Sequence, residues 1–377
     1  MSALDSNPPL RNRHNLLTAA LEDSGLGSLA LNAGPSLTYL TGLHFHLSER
    51  PTVFLFVPDQ APLAVLPELE SGKVRGLSFD VAVFPYGERP DTWLRAFQDA
   101  VESAHIDGVR LGVEPRRIRM LELDYLRAAA PQAEIVSAEE CLASLRMHKD
   151  DFEIAAMRKA VEIAQTALGK TLPQIHAGMT ERELAAELTL QLLRSGSEPE
   201  LPFFPIVASG PNGANPHAYP TDRELSRGDL LILDWGAACQ GYASDLTRTF
   251  AIGEPDEELA RVAGIVSAAN AAARAKAAPG VMASEVDRAA RQVIEDSGYG
   301  AYFIHRTGHG LGLDSHEEPY IRSDNEQALA EGMTFTIEPG IYLPGRGGVR
   351  VEDDFLINAN NGESLSDLPR ELVILEP

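Results

Sequence analysis

The sequence is poor in the features that mark secreted, membrane-embedded or nucleic-acid-binding proteins. Only two cysteines, Cys141 and Cys239, occur among 377 residues, so the sequence indicates no disulfide framework. Lysine and arginine number 32 against 55 acidic residues, and the formal net charge of −23 disfavours nucleic acid or an anionic membrane as a partner. No apolar run reaches transmembrane length. The first residues show no basic stretch followed by an apolar one, so we expect no secretory signal and a cytoplasmic protein.

The length of the chain predicts two domains, because one ordinary hydrophobic core does not extend over 377 residues. The sequence patterns change near residues 142–150. Before this segment, strand-like runs alternate with helical patterns, which predicts an α/β domain with a central sheet at residues 1–145. Examples are the strand-like residues 52–57 and 81–84 and the helical residues 92–104. Residues 146–377 form the second predicted domain, of the α+β class.

The second predicted domain repeats one order of elements. Amphipathic helices are expected at residues 151–172 and 180–195, and the second begins with a capping box, Thr180-Glu181-Arg182-Glu183. Another helical pair follows at residues 256–277 and 282–297, with Ser284 as the predicted cap. Each pair precedes a hairpin that carries carboxylates. This repetition predicts an internal pseudo-twofold, with a site where the two halves meet.

Two hairpins bring acidic side chains face to face. A strand-like run at 230–236 returns at 242–250. If its turn is centred between Cys239 and Gln240, then Asp234 lies directly opposite Asp245, with Cβ atoms about 5 Å apart. In the second hairpin, a turn centred on Gly345 places Glu338 opposite Glu352 by the same reasoning.

Opposed carboxylates on buried strands require a positive partner. Like charges that face each other destabilise a sheet, and an ionised buried carboxylate without a partner is costly. His309 lies between glycines that allow a close backbone approach around its ring. Two acidic pairs and this imidazole can hold two divalent ions about 3.5–4 Å apart, which predicts a dinuclear metal hydrolase. The alternative is that acidic residues at hairpin ends are simply exposed to solvent.

Several motifs together resemble a known group, the pita-bread metallopeptidases, and within it the Xaa-Pro peptidases, prolidase and aminopeptidase P. The resemblance extends over most of residues 150–377 and implies a creatinase-like α/β domain at residues 1–145 and a pita-bread catalytic domain at residues 146–377. Its motifs are Asp234 with Asp245, Gly308-His309-Gly310-Leu311-Gly312, His316-Glu317-Glu318-Pro319, Ile337-Glu338-Pro339-Gly340 and Val349-Arg350-Val351-Glu352-Asp353.

The resemblance also implies roles for individual residues. The implied metal ligands are Asp234, Asp245, His309, Glu338 and Glu352. His217 and His316 match histidines that bind the substrate and the reaction intermediate, and Arg350 and Tyr342 match groups that surround the ligands. The residues predicted to bind substrate are His305, Arg350, Tyr342 and Arg50.

The expected reaction is attack on an Xaa-Pro bond by a hydroxide that bridges the two metal ions. Glu338 is predicted to accept the proton of the water and pass it to the leaving nitrogen. His316 is predicted to donate to the oxyanion, and His217 to contact the substrate carbonyl or its terminal carboxylate. The proline ring needs a shaped wall, which His305 with Tyr302 or Phe303 is expected to supply.

The predicted ligands favour some divalent ions over others. Oxygen-rich ligation with a single imidazole favours Mn²⁺, while Zn²⁺, Co²⁺ and Fe²⁺ stay open. Three other readings compete with the Xaa-Pro peptidase. Methionine aminopeptidases usually lack the N-terminal domain, creatinase-type hydrolases lack the metal carboxylates, and a binding protein of this fold would have lost its ligands. We also expect a homodimer, the commonest closed assembly.

The choice between prolidase and aminopeptidase P depends on what holds the substrate carboxylate. Some prolidases carry an arginine directly after the His-Glu-x-Pro stretch, where this chain has Tyr320. In the N-terminal domain, residues 39–42 resemble an end-of-strand segment, and a polar stretch ending at Arg50 follows. Arg50 is the predicted anchor, since arginine pairs bidentately with carboxylates. The alternative is that Arg50 pairs with Glu49. We predict a prolidase acting on dipeptides, with aminopeptidase P as the second choice.

Overall fold

The computed structural model describes residues 9–376, which divide into two compact units. The N-terminal unit ends at Arg146 and the C-terminal unit begins at Met147. The boundary drawn from the sequence, between residues 145 and 146, stays a prediction. Among the described residues, no helix combines the length and the apolar character needed to cross a bilayer.

The N-terminal unit is built around one mixed sheet of six strands. In spatial order the strands are β4-β3-β2-β1-β5-β6, with β1–β3 antiparallel and the β3/β4, β1/β5 and β5/β6 pairs parallel. The strands are β1 (Ser28–Asn32), β2 (Val53–Phe56), β3 (Leu63–Pro67), β4 (Ala82–Tyr86), β5 (Arg110–Val113) and β6 (Glu134–Ser137). The helices are α1 (Leu10–Asp23), α2 (Pro35–Thr41), α3 (Ser71–Val74), α4 (Trp93–Ala104), α5 (Met120–Ala129) and α6 (Glu139–Met147). This is the α/β architecture that the alternating pattern predicted.

One segment of the N-terminal unit differs from its predicted structure. Residues 39–42 were expected at the end of a strand, and this is wrong, because they close helix α2. Pro35 occupies the first turn of that helix, and Gly42 ends it with a left-handed backbone, φ 71°. Proline at a helix start and glycine at its end are strong helix signals, and here they outweigh the strand-like side chains between them.

The C-terminal unit places one helix pair against each of two sheets. The first half contains α7 (Asp151–Thr171), α8 (Glu181–Arg194), β7 (Ile206–Ser209), β8 (Leu230–Trp235), β9 (Ala238–Cys239), β10 (Tyr242–Ala243) and β11 (Leu246–Ile252). The second half contains α9 (Glu257–Lys276), α10 (Ala283–Asp296), β12 (Gly308–Gly310), β13 (Glu317–Ile321), β14 (Thr334–Ile337), β15 (Gly340–Leu343), β16 (Gly347–Arg350), β17 (Asp353–Ile357), β18 (Gly362–Ser364) and β19 (Val373–Leu375). The sheet orders are β19-β11-β8-β7 and β13-β12-β14-β17-β18.

Each half of the C-terminal unit has its own hydrophobic core. Helices α7 and α8 pack against β7, β8 and β11, whereas α9 and α10 pack against the strands of the second half. The predicted helix–helix–hairpin order therefore occurs twice. The capping box at Thr180 is confirmed: its hydroxyl accepts from the Glu183 amide, and Glu183 accepts from the Thr180 amide. The cap predicted at Ser284 is wrong, because α10 begins one residue earlier, at Ala283, with Met282 before it.

The turn between β8 and β11 lies one residue later than predicted. Gln240 and Gly241 both have positive φ, 53° and 79°, and they form the two-residue turn of a tight hairpin. The ladder therefore pairs Asp234 with Thr247, so Asp234 and Asp245 are diagonal rather than direct neighbours. The second hairpin has the predicted register. Its ladders pair Ile337 with Asp353 and Gly340 with Arg350, which sets Glu338 opposite Glu352.

Candidate active site

The five predicted ligands come from both halves of the C-terminal unit. Asp234 lies on β8 and Asp245 directly precedes β11, so the first half supplies two carboxylates. His309 lies in β12, Glu338 follows β14, and Glu352 lies between β16 and β17. A backbone bridge joins the two halves here, since the Glu352 amide donates to the Thr247 carbonyl over 3.0 Å. The fold brings all five side chains to one pocket.

The side chains lie close enough to share a cation. Asp245, His309 and Glu352 each offer a ligand atom, and these atoms lie within 4.8 Å of one another. His309 Nε2 lies 3.3 Å from Glu338 Oε1 and 3.7 Å from Asp245 Oδ2. This is the spacing that ligands of one or two metal ions require. Without a cation, the three carboxyl groups around the imidazole would repel one another.

Glycine makes this approach of the strands feasible. A Cβ atom at Gly308 would lie 1.8 Å from the Thr336 carbonyl oxygen, and one at Gly310 would lie 2.3 Å from the Glu318 carbonyl oxygen. No side chain fits at either position without moving the backbone. The predicted role of the glycines around His309 is therefore confirmed.

The chemistry of this pocket fits a divalent cation. Asp234 Oδ1 and Asp245 Oδ1 are buried and accept no hydrogen bond from the described residues. Burial raises the pKa of Asp245 and Glu352 well above the usual range, and the neighbouring carboxylates raise both further. Burial also raises the pKa of Glu338 to about 7. Unpaired buried oxygens and mutually repelling carboxylates are what a hard cation would neutralise.

Arg350 connects one ligand to a chain of hydrogen bonds. Its guanidinium donates to Asp234 Oδ2 over 2.5 Å and to the Tyr342 hydroxyl over 2.9 Å. The hydroxyl lies 2.9 Å from His305 Nε2, and His305 Nδ1 lies 2.7 Å from the Arg306 carbonyl. A carbonyl only accepts, so Nδ1 donates to it and Nε2 accepts from Tyr342.

The pKa values of this chain agree with that arrangement. Burial lowers the pKa of His305 to about 4 and raises the pKa of Tyr342 to about 12. Both side chains are therefore neutral near pH 7. Arg350 and Tyr342 are both 3 % exposed, and of the two only Arg350 lines the pocket. Tyr342 does not line the pocket, in contrast to the prediction that it binds substrate directly.

The cavity beside the carboxylates has a volume of about 680 Å³. His217, His305 and His316 line it, as the sequence predicted for substrate-binding residues. The ring of His316 packs edge-on against His309, with ring centroids 3.9 Å apart. Burial lowers the pKa of His316, and the charge of Arg306 lowers it further.

The aromatic wall of the cavity is not the predicted one. Phe303 is buried behind His305 at a centroid distance of 5.2 Å, and Tyr302 does not line the cavity. The aromatic side chains that do line it are Phe203, Phe204 and Tyr219. Sequence reasoning missed them because they precede β7 and β8 at positions without a periodic pattern. The sequence Leu201-Pro202-Phe203-Phe204-Pro205 was the available signal, since it sets two large aromatic side chains between prolines, and Phe204 is exposed.

Other contributors to the site were also missed by the sequence. Asp354 is fully buried and accepts from the Asp245 amide over 3.1 Å. Thr247 donates to Glu352 Oε2, and Thr336 donates to Glu338 Oε1. Asp353, next to Glu352, binds Arg248 and Arg370 at 2.7 Å each. Burial opposes ionisation of Asp353, yet the two guanidinium groups hold its pKa below the usual range.

Arg50 belongs to the N-terminal unit and has acidic neighbours there. Its guanidinium nitrogens lie 2.8 Å from Glu49 and 2.7 Å from Glu88. The pairing with Glu49 is the alternative that the sequence left open. A role of Arg50 in substrate binding stays a prediction.

Comparison with known proteins decides the family. A model of metallopeptidase family M24 matches residues 155–359, and a model of the creatinase/prolidase N-terminal domain matches residues 13–148. The chain belongs to metallopeptidase family M24. The resemblance and the fold class predicted from the motifs are therefore confirmed. Membership in M24 implies a divalent metal ion, for which the group of Asp245, His309 and Glu352 is a candidate site.

Three relatives illustrate the position of this M24 chain. A probable dipeptidase, PepE of Mycobacterium tuberculosis, is 37% identical over 96% of this chain and 95% of its own length. An Xaa-Pro dipeptidase of Pyrococcus horikoshii is 33% identical over 94% of this chain and 96% of its own length. The crystal structure of a recombinant prolidase from Thermococcus sibiricus has a TM-score of 0.91 and 36% identity, covering 97% of this chain and 98% of that one.

Proposed function

We propose that this M24 protein is an Xaa-Pro dipeptidase that hydrolyses the bond before proline. The observation that carries the proposal is the convergence of four carboxylates and one imidazole on a single cavity, in a chain that matches an Xaa-Pro dipeptidase over 94% of its length and a prolidase structure over 97%. The cavity of about 680 Å³ has room for a small peptide.

The metal ligands in this proposal are Asp234, Asp245, His309, Glu338 and Glu352, holding two divalent ions. Divalent ions held there supply Lewis-acid polarisation of the scissile carbonyl and an acidified water. The carboxylates supply the negative charge that such ions need, and the unpaired oxygens of Asp234 and Asp245 support their assignment. The ligand set favours Mn²⁺, since four of its five members bind through oxygen.

Glu338 is the proposed carrier of the proton. Glu338 lines the cavity beside His309, with its Oε1 3.3 Å from His309 Nε2, so its carboxyl group can accept the proton of the attacking water and release it again. The proton is delivered to the proline nitrogen, which has no hydrogen of its own as a tertiary amide. Thr336 fixes the Glu338 carboxyl by donating to Oε1 over 3.1 Å.

Three histidines complete the proposed site. His316 lies against His309 and is placed to donate to the oxyanion. His217, across the same cavity, binds the substrate carbonyl or carboxylate. His305 is held neutral by burial and aligned by Tyr342, so it presents a ring face that suits the proline ring better than a charge would.

Hydrolysis of matched peptides tests the proposal. The protein, stripped with a chelator and reloaded with Mn²⁺, is given an Xaa-Pro dipeptide, the same dipeptide with alanine in place of proline, and a tripeptide extension. We expect the highest kcat/KM for the Xaa-Pro dipeptide and loss of turnover after chelation. Preference for the tripeptide would identify an aminopeptidase P instead. Absence of Xaa-Pro hydrolysis with every divalent ion would contradict the proposal.

Metal identity, assembly and location need their own measurements. Metal analysis of the protein as isolated tests for Mn²⁺ against Zn²⁺, Co²⁺ and Fe²⁺. Sedimentation at micromolar concentration tests the proposed homodimer, which a monomer would contradict. The proposed cytoplasmic location agrees with two cysteines that are unpaired, Cys141 and Cys239, and cell fractionation tests it.

A further inference from the structure

Two arginines line the cavity, and only one of them has a free guanidinium group. Arg350 already donates four hydrogen bonds, to Asp234, Tyr342, Thr247 and the Pro216 carbonyl. Arg306 is half-buried at the edge of the same cavity, three residues before His309. Within residues 9–376, no carboxylate oxygen lies within 4.0 Å of its guanidinium nitrogens.

The guanidinium of Arg306 rests on an aromatic ring. Its central carbon lies 4.4 Å from the centroid of the Tyr320 ring. Such stacking holds the flat guanidinium in one orientation and leaves its N–H groups directed along the edges. An arginine held this way is prepared to bind a planar anion with two parallel hydrogen bonds.

Arg306 lines the same cavity as the groups proposed to surround the scissile bond. His309, His316 and Glu338 are among the other residues that line it. The guanidinium of Arg306 and the proposed reaction site therefore open on one cavity.

A dipeptide needs such a group close to that bond. Two extended residues span at most about 7 Å, so the free carboxylate of a dipeptide stays in the cavity that holds its scissile bond. Resting on the proposed function, we infer that Arg306 binds the free carboxylate of the Xaa-Pro dipeptide and thereby sets the preference for dipeptides.

The other arginines are less suited to this task. Arg322, also in the C-terminal unit, is 55% exposed, pairs with Asp324 and does not line the cavity. Arg50 already pairs with two glutamates of its own unit. Arg306 is therefore the specificity-determining residue, and Arg322 is its matched control.

The test compares a charged substrate with a neutral one. The kcat/KM values of an Xaa-Pro dipeptide and of its C-terminal amide are measured for the wild type and for Arg306→Gln, Arg306→Lys and Arg322→Gln. We expect Arg306→Gln to lose roughly 10- to 100-fold on the dipeptide, mainly through KM, and to keep its activity on the amide. Arg306→Lys should lose less kcat/KM on the dipeptide than Arg306→Gln does. Lysine keeps the positive charge but cannot form the two parallel hydrogen bonds of a guanidinium group. Arg322→Gln should match the wild type.

A binding measurement separates this inference from the proposed function. Calorimetry of L-proline and L-prolinamide, on the Mn²⁺-loaded proteins, should show tighter binding of proline by the wild type and loss of that difference in Arg306→Gln. Equal losses on dipeptide and amide, or equal binding of proline and prolinamide by the wild type, would overturn the role of Arg306. If the wild type hydrolyses no Xaa-Pro peptide yet discriminates through Arg306, the anion site stands and the proposed function is wrong.

Discussion

The metal-free protein should become less stable as the pH rises, and Glu338 should account for a measurable part of the loss. Burial raises the pKa of Glu338 from 4.5 to about 7. A carboxyl group with a higher pKa in the folded than in the unfolded chain binds a proton on folding. The free energy of unfolding therefore falls between those two pKa values and is level above them.

The size of this effect follows from the pKa difference. Each tenfold change in an acid dissociation constant corresponds to about 1.4 kcal/mol, so Glu338 costs on the order of 3 kcal/mol at pH 7 and above. Asp245 and Glu352 have raised pKa values as well and act in the same direction. Metal binding should reverse the sign of this pH dependence. Carboxylates and imidazoles bind cations only when deprotonated, and binding stabilises the folded state.

The assay uses the two tryptophans of the chain, one in each unit. Trp93 lies in α4 and Trp235 is buried on β8, with its indole nitrogen donating to the Ala164 carbonyl over 2.9 Å. In a Trp93→Phe background, fluorescence during urea unfolding reports the C-terminal unit alone. The free energy of unfolding is measured from pH 5 to 8, once with a chelator and once with excess Mn²⁺.

The comparison includes Glu338→Gln and, as a control, Glu326→Gln, which removes an exposed carboxylate outside the cavity. With the chelator, we expect the free energy of unfolding to fall as the pH rises in the parent and in Glu326→Gln. In Glu338→Gln this fall should be smaller by roughly 3 kcal/mol. With Mn²⁺, the parent should hold or gain stability as the pH rises. A metal-free parent whose stability is level or rises over this range would refute the reasoning, as would a Glu338→Gln variant with an unchanged slope.

Four further substitutions probe the same site. Asp245→Ala and Glu352→Ala should each abolish metal binding and turnover while circular dichroism stays near the parent; a variant that retains its metal and near-normal turnover would remove that residue from the ligand set. His316→Ala should retain the metal and lose roughly 10²–10³-fold in kcat, the effect of removing one oxyanion donor; metal loss would instead make it a ligand. Asp353→Ala should lower the free energy of unfolding by about 3–5 kcal/mol, because Arg248 then lies buried without its carboxylate and the half-buried Arg370 also loses its partner; urea titration showing less than about 1 kcal/mol would contradict this.

The elements that the sequence predicted well are those determined by local patterns. Helix α7 follows its apolar periodicity closely, and Thr180 with Glu183 caps α8 as expected. Glu338 and Glu352 were placed correctly because Gly345, with φ 75°, fixes the centre of their turn. The ligand set stays a prediction, and it rests on motifs whose members are separated by about 120 residues.

The errors arose where local signals compete or where contacts are purely tertiary. The turn at Gln240 was predicted one residue too early. A non-glycine residue adopts positive φ there, and no pattern in the sequence indicates this. Asp354 and Arg306 carry no motif of their own, and only the packing of strands from both halves makes them part of the site. Phe303 was assigned to the wrong face because the segment before β12 has no regular period.

The division of the proposed ligands between two separately built sheets has a mechanical consequence. Asp234 and Asp245 belong to the first half of the C-terminal unit, while His309, Glu338 and Glu352 belong to the second. A cation bound by both groups would tie together chain segments that are more than 60 residues apart, as a cross-link would, in a chain whose two cysteines are both unpaired. Removing the cation should therefore loosen the seam between the halves before either core melts. Amide hydrogen exchange would then quicken at β8 and β14 together while α7 and α9 stay protected.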